Sequence, residues 1–509
     1  MLVGKITLVG LEGVEIGAEE SALLERVQPA GVILFARNID SPEQVRRLCD
    51  RLRAILRPEP ILGIDQEGGT VERLRRILGP LPPALAVAAS GSATRARSLG
   101  AVCGAALRLL GLNLDLAPVV DLGWSGADNA LGTRVFGRCP RRVAALARSF
   151  LRGLRRQGIE GCLKHFPGLG RARVDTHHEL SLIDRSAKEL ERDLWPFRRL
   201  LREAPSVMIA HAAYPALAAS DVPATRSAPI ATALLREQIG YSGCAFSDDL
   251  RMGGLLLPPA EGAIECLRAG CDALLLCGPI GEHIGELEAI DRQVRKGWRG
   301  PSPPAPLPQG EGREIDLERR FAEAARRVEA LRSALGREPA ADWSDASWAR
   351  CKRRALALSR KVAAASLRRE GEAVAIDPAA APLVLLPEAE LIVEQLPRLR
   401  RRFAEALATY PIRLNPAEAD WLAAQHGSRS VVLATIDADR HPGQQQLATR
   451  LAQTRRLAGQ LQLGFPEEST RGLAPSTVFA WHSERHFVEY GLRALFGRFE
   501  CRGIDPLAV

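Results

Sequence analysis

Aromatic side chains make up only 5% of the 509 residues, with four tyrosines and seven tryptophans among them. So thin a supply of stacking faces argues against a nucleic-acid platform, which interleaves aromatics with a concentrated basic patch. The net charge of +9 is instead spread, largely as arginine, along helix-like stretches such as RRLCDRLRAILR and RLRRRFAEAL. That is the pattern of solvated helix faces. No window approaches the roughly 18 continuous apolar residues that span a bilayer, so no membrane partner is expected. The opening MLVGKITLVGLEG lacks a basic start, a long apolar centre and a small-residue cleavage site. It reads as a first strand, not a signal peptide. Ten cysteines lie scattered without one CxxC pair, several inside apolar runs such as DALLLCG. Free thiols in a reducing cytoplasm are expected, rather than a disulfide framework or a zinc site.

What the chain does have is length and repetition. Its 509 residues predict two to four domains, and 46% hydrophobic with 25% charged residues is ordinary for a globular protein. Eight short apolar runs recur: KITLVGL (5–11), GVILFARN (31–38), ILGID (61–65), LNLDLAP (112–118), GCLKHF (161–166), SVMIAHA (206–212), GCAFSDD (243–249) and DALLLCG (272–278). Runs this short and apolar predict strands buried on both faces. Helical stretches such as SPEQVRRLCDRLRAIL and CPRRVAALARSFLRGLRRQG separate them. Eight parallel strands alternating with helices is the count of a (β/α)8 TIM barrel. A doubly wound sheet is the alternative, but no GxGxxG follows the first strand.

In a TIM barrel, functional groups gather at the carboxyl ends of the strands. Here those ends carry Arg37 and Asn38, Asp65, Asp121, Lys164 and His165, His211, and Asp248 with Asp249. Any one of them is readily a cap or a turn residue. The whole set points to an enzyme.

A retaining glycosidase needs a nucleophile and a proton shuttle facing one pocket. Asp248, ending CAFSD, is placed to be the nucleophile. Asp175 and His177 in VDTHHEL are one residue apart, so an extended segment would point both side chains the same way. The carboxylate would orient the imidazole, as in hydrolase triads, and imidazole exchanges protons near neutrality. A surface turn with an Asp cap is the bland alternative. Zinc is another, although no third ligand sits at helical or ribbon spacing. For sugar hydroxyls, GIDQEGGTVERLR supplies Asp65 and Arg73 across a Gly-Gly turn, ALGTRVFG supplies Arg134, and Lys164 and His165 sit at a strand end. Surface salt bridges are the alternative for each arginine.

ILGIDQEGGTVERL, LGTRVFG, KHFPG followed by VDTH, VMIAHAAYPAL and FSDDLRMGG resemble, in order, the motifs of glycoside hydrolase family 3. They are most similar to its bacterial β-N-acetylglucosaminidase (β-hexosaminidase) branch of peptidoglycan recycling. The resemblance covers roughly residues 3–280. It implies a retaining exo-β-N-acetylglucosaminidase acting through a covalent glycosyl-enzyme, with Asp248 as nucleophile and His177, paired with Asp175, as acid/base. Asp65, Arg73, Arg134, Lys164 and His165 would hold the sugar. The implied substrates are muropeptides or chitooligosaccharides that carry terminal N-acetylglucosamine, and no metal or organic cofactor is implied. A phosphorylase, a β-glucosidase-type hydrolase and an inactive glycan-binding barrel are the alternatives. This chain departs from the family pattern at Leu169, where the family commonly has a second histidine, and in the RAR that follows, where it has small polar residues. It also lacks the proline usual after the dyad.

KGWRGPSPPAPLPQGEGREIDLERR interrupts the chain with proline and glycine and reads as a loop or linker. The expected organisation is a barrel over 1–298, a loop and helical linker over 299–372, and a smaller second domain over 373–509. In the latter, APLVLLP, SVVLATID, GQLQLGF and STVFAWH read as strands and EQLPRLRRRFAEALATY as a helix. The ending resembles the close of the family's C-terminal α/β sandwich domain.

Overall fold

Eight short parallel strands close on themselves in the computed structural model, which describes residues 1–124, 129–296, 317–335, 340–372, 376–377, 382–403, 407–425 and 429–507. They are β1 (Thr7–Gly10), β2 (Gly31–Leu34), β3 (Ile61–Ile64) and β4 (Leu114–Asp115). β5 (Glu160–Phe166), β6 (Ser206–Ile209), β7 (Cys244–Asp249) and β8 (Ala273–Pro279) complete the ring. Leu8 on β1 stands opposite both Gly31 on β2 and Leu275 on β8, which closes the barrel. Each expected run therefore contains or overlaps one barrel strand.

Outer helices cover the barrel. Pro42–Ile55 starts where expected, with Pro42 in the first turn and the Ser41 hydroxyl accepting from the Gln44 amide. In Pro140–Arg155, Val143, Leu146, Ala147, Phe150, Leu151 and Leu154 form the buried stripe. Burying each large apolar side chain of this kind contributes about 1.5–3 kcal/mol. Helix Leu317–Leu335 is tied on by the buried Asp272, which accepts from Arg320 at 2.7 Å and Arg327 at 3.0 Å. The Pro/Gly-rich run preceding it lies within 297–316, outside the described residues.

A second sheet follows, built from β9 (Arg368–Gly371), β10 (Leu383–Pro387), β11 (Leu407–Tyr410), β12 (Val431–Ile436), β13 (Leu457–Leu463) and β14 (Ser476–Phe479). Its order is β9-β14-β13-β12-β10-β11, all parallel except β9 against β14. Alternate residues face opposite ways: Val384, Leu386, Val432 and Ala434 join the large core, while Leu383, Leu385, Val431 and Leu433 form a separate cluster. Helices therefore cover a sheet that is apolar on both faces.

Two strands lie where helix was expected. The helix begun at EQLPRLRRRF stops at Phe403, and LATY pairs with β10, Leu407 opposite Val384. Similarly, the long helix Asp345–Ser366 ends before RREG, which pairs with β14. In both cases an available sheet edge outweighs local helix propensity.

Candidate active site

At the carboxyl end of β3 the chain turns into a hairpin, Gln66–Gly68 against Val71–Glu72. Gly68 and Gly69 both have positive φ, and a Cβ on Gly68 would stand 2.6 Å from the Pro82 carbonyl oxygen. Only glycine fits this turn without strain. It returns the chain so that Asp65, Glu67 and Arg73 join one ionic network. Lys164 on β5 reaches across to meet two of them, its Nζ lying 2.7 Å from Asp65 Oδ1 and 2.6 Å from Glu67 Oε1. Arg134 closes the other side of Glu67, with Nε and Nη2 each 2.9 Å from a carboxylate oxygen. Arg73 Nη2 stands 3.8 Å from Asp65 Oδ2.

The pairing decides the charges. Burial pushes the Glu67 carboxyl up, but Arg134 and Lys164 outweigh it and hold the group at about 2. Burial likewise works against the Lys164 charge, and Asp65 with Glu67 raises the ammonium above its ordinary value. Asp115, which accepts the Gln66 amide at 3.0 Å, is fully buried, and desolvation raises its carboxyl well above the ordinary range.

His165 is held by Asp121, whose carboxylate lies 2.7 Å from Nδ1 and accepts the His165 amide at 3.1 Å. The same carboxylate accepts the Leu169 amide at 2.7 Å. The Leu169 side chain is itself buried, so the departure from the family's histidine leaves an ordinary core contact. The Lys164–His165 and Phe166–Pro167 peptides are cis.

Asp248 lies near the end of β7, half-buried, with Oδ1 accepting the Asp249 amide at 2.9 Å. Burial opposes its ionisation, but His211, His165 and the Asp249 amide hold the carboxyl below its ordinary value. His211 donates from Nε2 to the Asp249 carbonyl at 3.1 Å, leaving Nδ1 to accept from Thr225 at 2.7 Å. Burial pulls the His211 ring below its ordinary value, so its electrostatic help to Asp248 is confined to acid pH.

Asp175 and His177 meet, Oδ1 to Nδ1, at 2.6 Å. They do so through a turn, not through strand alternation. Asp175 Oδ1 also accepts the His177 amide at 3.0 Å, and its carbonyl accepts the His178 amide at 3.0 Å. An aspartate closing on the backbone two residues ahead brings the side chains together more tightly than an extended segment would. Desolvation raises the Asp175 carboxyl, but the amide and ring of His177 more than offset it and leave it low. The turn is seated on the loop after β7, where Gly253 donates to the His177 carbonyl at 3.0 Å and Gly254 to that of Thr176 at 3.1 Å.

The structure thus gathers Asp65, Arg73, Arg134 and Lys164 into one network, pairs His165 with Asp121, and pairs Asp175 with His177. Glu67 was not expected; its only signal was its place two residues after Asp65, before the double glycine. Among the described residues no group of three or more His, Cys, Asp or Glu is arranged to hold a metal ion.

The profile of the glycosyl hydrolase family 3 N-terminal domain matches residues 2–299. A β-hexosaminidase of Alkalilimnicola ehrlichii is 37% identical over 357 residues, covering 67% of this chain and 98% of that protein. The solved family 3 β-N-acetylglucosaminidase from Paenibacillus sp. FPU-7 superposes with a TM-score of 0.84 at 25% identity, covering 100% of this chain and 98% of that one. NagZ of Neisseria gonorrhoeae, solved in complex with N-trifluoroacetyl-D-glucosamine, is 30% identical with a TM-score of 0.54, covering 69% of this chain and 97% of its own. The chain belongs to glycosyl hydrolase family 3.

Proposed function

We propose that this hydrolase is a retaining exo-β-N-acetylglucosaminidase that removes terminal N-acetylglucosamine from peptidoglycan fragments through a glycosyl-enzyme on Asp248. The observation that carries this reading is the Asp175–His177 pair, seated on the loop that leaves the strand of Asp248. In the first step Asp248 attacks the anomeric carbon while protonated His177 gives its Nε2 proton to the departing oxygen. Asp175 holds Nδ1 and stabilises the imidazolium. In the second, neutral His177 takes a proton from water, which attacks the same carbon and releases Asp248. Lys164, Arg134, Arg73, Asp65 and the Nε2 of His165 are the hydroxyl-binding groups, and Glu67 keeps the two cations in place.

The sugar is supported by the names of the relatives, and the peptidoglycan origin by the sequence resemblance. An imidazole acid/base does not repel an anionic lactyl or peptide leaving group, as a carboxylate would. Cysteines that all carry free thiols accord with a reducing cytoplasm. The same imidazole would tolerate phosphate as the acceptor, so a phosphorylase is the second reading. The test is release of 4-nitrophenol from its β-N-acetylglucosaminide by wild type, His177→Ala and Asp248→Asn. Turnover in wild type lost in Asp248→Asn supports the proposal. Product analysis in phosphate buffer separates free sugar from sugar phosphate. No turnover with or without phosphate would overturn it.

A further inference from the structure

We propose that Arg171 is a positioning residue that holds the loop of Asp175 and His177 in register; this rests on His177 being the acid/base. Arg171 lies between the two halves of the site, six residues after His165 and six before His177. It is the first arginine of the RAR departure. Its side chain is 10% exposed, and its Nε donates to Asp193 Oδ2 at 2.7 Å. The guanidinium carbon stands 3.8 Å from the centre of the Trp124 ring, close enough for a strong cation–π contact. Asp193 is buried, and its other oxygen accepts the Trp124 indole N–H at 3.3 Å. Cation, ring and carboxylate therefore form a closed triangle, each member touching the other two.

The loop has little room to shift without breaking that triangle. A Cβ on Gly170 would stand 1.9 Å from the Leu122 carbonyl oxygen, so the chain is pressed against the segment leading to Trp124. Tyr214 donates to the Gly168 carbonyl at 3.1 Å, and Asn129 to that of Gly170 at 2.9 Å. Ala172 is buried, and the Arg173 amide donates to Ser181 Oγ at 3.0 Å. From there the chain enters the dyad turn, which rests on Gly253 and Gly254. Arg171 anchors the chain ahead of that turn through its own side chain, and the two glycine amides hold the turn itself. Behind Trp124, a Cβ on Gly123 would lie 3.2 Å from Leu507 and 3.4 Å from Phe465, so residues beyond the barrel brace the same wall. The cation of the triangle belongs to the loop that carries Asp175 and His177, so its contribution is to where His177 stands.

The test compares a substrate that needs a proton on its leaving group with one that does not. Arg171→Ala is expected to lose about 100-fold in kcat on an N-acetylglucosaminyl disaccharide, the scale of a misplaced catalytic group. On the 4-nitrophenyl glycoside its first step should stay near wild type while deglycosylation slows. Added azide, which attacks without a general base, should restore turnover and give the glycosyl azide, as for His177→Ala. Arg171→Ala/His177→Ala should be no slower than His177→Ala alone. Arg171→Lys and Asp193→Asn should show the same azide response with smaller losses, and they serve if the alanine variant folds poorly. Equal losses on both substrates without azide rescue, or wild-type kinetics, in variants that fold would overturn the proposal. Absence of azide rescue in His177→Ala itself would instead overturn the acid/base reading.

Discussion

The amide of Gly253 donates to the carbonyl of His177 at 3.0 Å, five residues after Asp248 in the chain. The proposed nucleophile and the proposed acid/base therefore share one hydrogen-bonded seam between the loops after β5 and β7. A Cβ on Gly253 would stand 2.0 Å from the His178 carbonyl oxygen. Gly253→Ala must push the dyad turn off its seat. We expect kcat on an unactivated disaccharide to fall about 100-fold, with a smaller loss on the 4-nitrophenyl glycoside. Steady-state kinetics on the two substrates checks this; equal effects on both would place the seam outside catalysis.

Glu67→Gln removes the carboxylate that both Lys164 and Arg134 engage. Lys164 keeps Asp65, but Arg134 is left buried without its fork. Breaking such a buried pair costs about 3 kcal/mol. Urea unfolding should show a loss of that order, and KM should rise more than kcat falls, because the two cations are displaced from the sugar. A variant as stable as wild type would contradict the network.

Glu72 makes the stability of the fold depend on pH. Burial pushes its carboxyl up to about 8, so it stays protonated in the fold but ionises near its ordinary value of 4.5 once unfolded. Unfolding then releases a proton, and the contribution of this group to stability falls as pH rises from about 4.5 to about 8. Glu72→Gln keeps an acceptor for the Leu81 amide, now bound at 2.9 Å. Relative to wild type, the variant should gain about 3 kcal/mol between roughly pH 4.5 and pH 7. Urea unfolding at several pH values measures this, and a pH-independent difference would refute it.

The barrel was legible because strands such as ILGI and SVMI are buried on both faces, which leaves short unbroken apolar runs that few other structures produce. Asp65, Lys164, His165 and Asp248 stood out because they end those runs. Glu67 did not, since its position depends on a hairpin whose return to Arg134 is a long-range contact. Asp121 was visible as a strand-end acid, but nothing local named His165 as its partner. The contact of Asp175 with His177 was foreseen for the wrong geometric reason, a strand where the chain makes a turn. LATY went unrecognised because four residues at the end of an arginine-rich helical stretch carry no period of their own. Only the exposed edge of β10 decides their conformation.

The most direct test of the account is covalent trapping with 5-fluoro-N-acetylglucosaminyl fluoride. Fluoride departs without a proton, and the ring fluorine slows release of the sugar from the enzyme. Intact-mass and peptide mass spectrometry should find one sugar per chain, attached to Asp248, and none on the Asp248→Asn variant. A sugar attached to another residue, or turnover of the reagent in which Asp248→Asn performs as well as wild type, would contradict the account.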